Sequence, residues 1–81
     1  MKIVINHDVK LIKNGYLATA KGMRMAAQGY NEETAKANLE HGVRLFLQPF
    51  QRNGTLEYEI EMMGLTVLGN GHDNELTIIL E

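Results

Sequence analysis

Residues 31–52 carry a helical repeat long enough to dictate what the rest of the chain must provide. At about 100° per residue, Ala35, Leu39, Gly42, Val43, Phe46 and Phe50 fall in one stripe, with Glu33, Glu40, Arg44 and Gln48 on the other side. Asn31 is placed to cap the first turn, where Glu32 and Glu33 complement the positive end of the helix dipole. Glu40 and Arg44 stand four apart with the acid first, the favoured order for a helical ion pair. Pro49 removes one helical hydrogen bond and crowds the carbonyl of Leu45, so a kink is expected there, or an ending near Arg52 ahead of Asn53-Gly54. Leu45 and Leu47 flank the stripe and are expected to be partly exposed in a monomer, as candidates for a contact between copies.

The residues before the helix read as strands. Ile3, Ile5, Val9, Leu11 and Ile12 stand among Lys2, Val4, Asn6, Asp8 and Lys10 in close to a two-residue period over about 2–12, and the alternation slips after His7, as at a β-bulge or at the end of one strand face. Asn14-Gly15 is a strong hairpin signal, because a type I′ turn needs positive φ at both central residues. Strand two is expected over about 16–20. A third strand over about 23–30 holds Ala26, Ala27 and Gly29, small residues that suit close approach by a neighbouring element.

After the helix the pattern is two-valued. Leu56, Tyr58, Ile60 and Met62 alternate with Glu57, Glu59 and Glu61 as in a strand, yet Leu56, Ile60 and Met63 also form a short helical stripe between Gly54 and Gly64. Three like charges on one strand face would repel. Leu65 to Leu68 and about 75–80 are apolar and β-branched, separated by the turn-rich residues 69–74, and the later run is expected to be a strand.

Eighty-one residues without Cys fit one domain with a thin core, so good packing and self-association are the expected sources of stability. No stretch approaches the ~20 apolar residues that span a bilayer, and the Met-Lys-Ile-Val start leads into strand alternation, so the cytoplasm is the expected location. Charge is polarised: Lys2, Lys10, Lys13, Lys21 and Arg24 against Asp8 put residues 1–30 at +4. Glu57, Glu59, Glu61, Asp73, Glu75 and Glu81, with no Lys or Arg, put residues 53–81 at −6. An acidic C-terminal third suits a basic partner, and five scattered cations are a weak basis for binding nucleic acid.

Little in the chain points to catalysis. His7-Asp8 and His72-Asp73 would supply four ligands if they met, but they lack the tight spacing of metal sites, and no metal is expected. His41 falls on the exposed side of the helix. Ser and Cys are absent, the threonines have no neighbouring base, and Gly69-Asn70-Gly71 lacks the Lys and helix of a phosphate loop. A run of exposed glutamates does not offer the buried, raised-pKa acid that a hydrolase needs. Met23, Met25, Met62 and Met63 are read as core filler before partner groove. No enzyme and no cofactor is expected.

Gly15-Tyr16-Leu17-Ala18-Thr19-Ala20, Ala27-Gln28-Gly29 and Asn31-Glu32-Glu33-Thr34-Ala35-Lys36-Ala37-Asn38-Leu39 together resemble the amino-terminal domain of HicB-like antitoxins. That family has a "GYVA" strand, a strand ending in a small residue, Gln and Gly, and a "T-x-E-E-A-x-x-N-L" helix start. Val43-Arg44-Leu45-Phe46-Leu47 and Asn53-Gly54-Thr55-Leu56 extend the likeness, which covers roughly residues 2–64. Lys21-Gly22-Met23-Arg24 stands where the family often has "P-x-L-P-G-C". The resemblance implies an α+β fold: a three-stranded antiparallel sheet, a packed helix over about 31–52, a short helix over about 55–63 and a final strand. One domain over 1–81 is expected, and the ribbon-helix-helix or helix-turn-helix module that many members of that family append is a further point of departure, since no room is expected for it here. By analogy the function would be to cover a small basic HicA-type mRNA interferase, with Glu57, Glu59 and Glu61 in the contact. The alternatives are a small RNA-binding domain using Lys10, Lys13, Lys21 and Arg24, and a structural domain of unknown role.

Overall fold

The structure is a computed structural model that describes residues 1–68 and 76–81. The chain runs β1 (Lys2–Ile5), β2 (His7–Ile12), β3 (Gly15–Ala20), β4 (Met25–Gly29), α1 (Glu32–Arg52), α2 (Leu56–Met63), β5 (Thr66–Leu68) and β6 (Thr77–Leu80). The α+β class and the order of its elements agree with the expectation. Two three-stranded sheets form, β2-β3-β4 wholly antiparallel and β5-β1-β6 with β1 and β6 parallel.

The single strand expected over 2–12 is two strands meeting at Asn6. No slip of face occurs, since Ile3, Ile5 and Val9 all turn to the core. What changes at Asn6 is the set of partners. β1 lies between β5 and β6, whereas among the described strands β2 pairs with β3 alone. The sheets are stitched at this point by Lys21 N–H to the Asn6 carbonyl (2.8 Å) and His7 N–H to the Glu81 carbonyl (3.0 Å).

The first hairpin forms one residue earlier than its Asn-Gly signal. Ile12 pairs with Gly15, so the loop is Lys13-Asn14, and Asn14 keeps negative φ, which excludes type I′. Gly15 at φ +145° takes the unusual backbone instead, a conformation open to glycine at little cost. Gly29 answers a different need. A Cβ there would run into the backbone of Thr34 and Ala35, so the absence of a side chain lets the start of α1 lie against β4.

Asn31 caps α1 in extended conformation, its Oδ1 accepting from Thr34 N–H at 2.7 Å. The helix runs through Pro49 and ends at Arg52, where Asn53 N–H reaches the Pro49 carbonyl at 3.1 Å. Its buried side chains are Ala35, Leu39, Val43 and Leu47. A line of four-residue steps drifts by about 40° per step, so the packed face turns as α1 passes from β4 at Gly29 toward the segment leading into β6 at Leu76. The sequence stripe assumed one fixed direction. As a result Phe46 is 43% exposed and stacks edge-to-face on Phe50 at 5.5 Å, while Leu47 is fully buried.

Residues 56–63 are helical. Gly64 at φ +70° closes α2, with Leu65 N–H on the Ile60 carbonyl and Gly64 N–H on that of Glu61, each at 3.1 Å. The two glycines that bound the segment thus outweigh its strand-like alternation. Leu56 and Ile60 join Ile3, Ile5, Ala18, Ala20, Leu76, Ile78 and the α1 line in one core. Among the described residues no helix is long and apolar enough to cross a membrane.

Candidate functional site

Folding 56–63 as a helix redistributes its charges. Glu57 and Glu61 stand one turn apart on the same flank and both are exposed, while Glu59, two residues on, falls on the far flank and is half-buried. The three glutamates therefore do not form one acidic face. Between the flanks lie Tyr58, 62% exposed, and Met62, 68% exposed, themselves at i,i+4 spacing. The outward surface of α2 is an apolar centre with carboxylates on either side. Its sequence signal was the spacing of Tyr58 and Met62 between Gly54 and Gly64, hidden by the stronger two-residue alternation.

The other expected contact residues part company. Leu45 is 54% exposed on α1, as anticipated. Leu47 corrects the expectation: it is 0% exposed in the core, because the packed face of the helix has rotated onto it, and it is not available to a second copy. Met23, Met25 and Met63 are half-buried against the core, and Met62 alone of these four projects.

The cationic strands carry one projecting ring, Tyr30, 91% exposed just past the end of β4. Lys10, Lys13, Lys21 and Arg24 are exposed, but Tyr16 shares the helix-facing side of β3 with buried Ala18 and Ala20 and packs on the core. Lys21 pairs with Asp8 across the strands at 3.6 Å. The uncovered face of the β2-β3-β4 sheet, read from the register, carries Asp8, Lys10, Leu17, Thr19, Ala26 and Gln28, with no aromatic ring.

A cleft of about 310 Å³ opens between the hairpin tip and the start of α1, lined by Asn14, Gln28, Gly29, Tyr30, Thr34 and Asn38. All of these side chains are uncharged. Asn38 is occupied, its Nδ2 donating to the Gln28 carbonyl at 2.8 Å and covering part of the outer edge of β4. His7 Nδ1 lies 2.9 Å from the Glu81 carbonyl, and His41 is exposed on α1. No group of three or more His, Cys, Asp or Glu side chains clusters among the described residues. His72-Asp73 lies outside the described residues. Comparison with family models, curated proteins and solved structures finds no significant match to this chain.

Proposed function

We propose that the chain is a protein-binding module resembling a HicB antitoxin, which acts by covering a small basic partner such as a HicA-type mRNA interferase. The observation that carries this reading is the exposed pair Tyr58 and Met62 with Glu57 and Glu61 on one side and Glu59 on the other. An apolar centre with a polar rim is the usual anatomy of a protein interface, and a carboxylate rim favours a cationic partner by steering its approach. The charge imbalance along the chain supports the same sign of partner. The RNA-binding alternative lacks support from the sheet face, whose register places no aromatic beside Lys10.

The test is capture of partners by the tagged chain from its native cells, followed by reconstitution with the purified partner. A small basic ribonuclease whose activity the chain suppresses, with suppression weakened by Glu57→Lys and Glu61→Lys together, is the expected result. A partner that is not basic, or suppression unchanged by both substitutions, would remove α2 from the contact.

A further inference from the structure

β1 and β2 form one extended run whose two long edges are filled unequally. On one edge β3 covers β2 and β5 covers β1. On the other edge β6 covers β1 and ends with Leu80 opposite Ile5, and no described strand lies beside β2. The direction of the backbone groups on that open edge follows from three bonds. His7 N–H donates to the Glu81 carbonyl and Glu81 N–H to the Ile5 carbonyl, toward β6, while Lys21 N–H reaches the Asn6 carbonyl from the β3 side. Backbone groups alternate sides along a strand, so Asp8, Lys10 and Ile12 bond β3, and the N–H and C=O of Val9 and Leu11 point to the open edge. Beside them Leu11 is 73% exposed. The strand is unbroken from His7 to Ile12 and has no proline, so it is a ready template for another strand.

We infer that this edge is the seat of a symmetric dimer, in which β2 pairs antiparallel with β2 of a second copy and Lys10 lies on the two-fold axis. This inference is independent of the α2 reading. With Lys10 on the axis, Val9 faces the second copy's Leu11 and Leu11 faces its Val9, and every outward group of the four residues finds a partner. The exposed Leu11 then lies against a valine. At the ends, His7 faces the second copy's Lys13. The length also fits, because the hairpin loop at Lys13-Asn14 of one copy falls where β6 of the other stops.

The neighbouring registers fit worse. Val9 on the axis would set the second copy's Leu11 against His7, whose N–H is already taken by Glu81. Leu11 on the axis would set Val9 against Lys13, which lies in the turn. The chosen register has two unfavourable features: at its ends the turn residue Lys13 meets His7, whose N–H is taken, and at its centre Lys10 lies opposite its own copy. That repulsion opposes unlimited edge association and keeps the dimer reversible.

The experiment is sedimentation velocity with native mass measurement on the full chain, from micromolar to millimolar concentration. The wild type is expected to dimerise. Val9→Pro removes an outward N–H and trims a half-buried side chain but leaves the bonds to β3, and is expected to be monomeric with an unchanged far-ultraviolet spectrum. Leu11→Asp, at a side chain 73% exposed in the monomer, is expected to weaken the dimer by about 10-fold or more by setting a carboxylate against the second copy's valine. Lys10→Thr should tighten it about 2- to 5-fold. A wild type that stays monomeric throughout would overturn the inference. So would a dimer that survives Val9→Pro or Leu11→Asp, or one lost on Leu45→Asp but not on the β2 substitutions. Should Val9→Pro fail to fold, Leu11→Asp decides the matter alone.

Discussion

Arg44 on α1 donates from Nη1 to the carbonyl of Leu76 at 2.8 Å, while its Nη2 lies 3.3 Å from Glu40 on the same helix. A side chain in the middle of the longest helix thereby ties down the chain entering β6, the strand that is farthest in sequence from β1 and yet pairs with it. Leu76 itself is buried, so its carbonyl sits where water competes poorly for the bond.

Arg44→Met is accordingly expected to destabilise the fold by about 1–2 kcal/mol, the range for a charge-assisted hydrogen bond discounted for a side chain about one-third exposed. Urea unfolding measures the total. Hydrogen exchange should show the loss concentrated in the β6 amides, and a uniform loss across β2-β3-β4 would contradict a local tether.

Gly29 and Gly42 make a pair with opposite expected signs. Gly29→Ala drives a Cβ into the backbone of Thr34 and Ala35 and should cost about 1–3 kcal/mol. A Cβ at Gly42 would meet the mobile end of Met25 at 3.3 Å, which can swing away. Gly42→Ala should therefore be neutral to stabilising by up to about 1 kcal/mol, from helix propensity. Thermal melts of the two variants check the order, and a Gly42→Ala loss matching that at Gly29 would show that Met25 cannot move.

Leu47 and Leu45 differ by two positions and should differ by most of a core residue's worth. Leu47→Ala removes a fully buried side chain and is expected to cost about 2–5 kcal/mol. Leu45→Ala, on the exposed side, should stay within about 0.5 kcal/mol at concentrations where the chain is monomeric. Equal costs would mean that α1 is rotated from the orientation described.

On α2, Glu57 and Glu61 are a like-charge pair one turn apart in a helix with no basic residue in its last turn. Glu61→Lys turns that repulsion into an opposite-charge pair with the acid first and places a cation near the helix C-terminus. It should raise stability by about 0.5–1 kcal/mol in low salt. The same substitution is expected to weaken binding of a basic partner. A variant that melts higher and binds worse separates the contact role of α2 from its fold, and one that binds as well as wild type would exclude Glu61 from the interface.

Asn31→Ala should cost about 1 kcal/mol by freeing the Thr34 N–H, and Asn31→Asp should recover it by restoring the acceptor. Helicity followed by circular dichroism during unfolding is the readout.

Short-range physics made much of this molecule legible from sequence. The cap at Asn31, the acids after it, the small residue at Gly29 and the helix end at Asn53-Gly54 are each decided by groups within a few residues of one another, and each stands where the pattern put it. The same holds for β2, β3 and β4, whose alternation matches the two faces of a sheet covered on one side. Tertiary structure decided what local pattern leaves degenerate. The rotation of the α1 face onto Leu47 depends on what the helix crosses after Gly29, and the break at Asn6 depends on β6 arriving from the far end of the chain beside β1 and stopping short of β2. Residues 56–63 carried the strand period somewhat more strongly than the helical one until Leu56 and Ile60 had a core to enter, and that choice split Glu57 and Glu61 from Glu59. Burial and strand pairing act between residues distant in sequence, so spacing alone carries no record of which face they will select or which edge they will leave open.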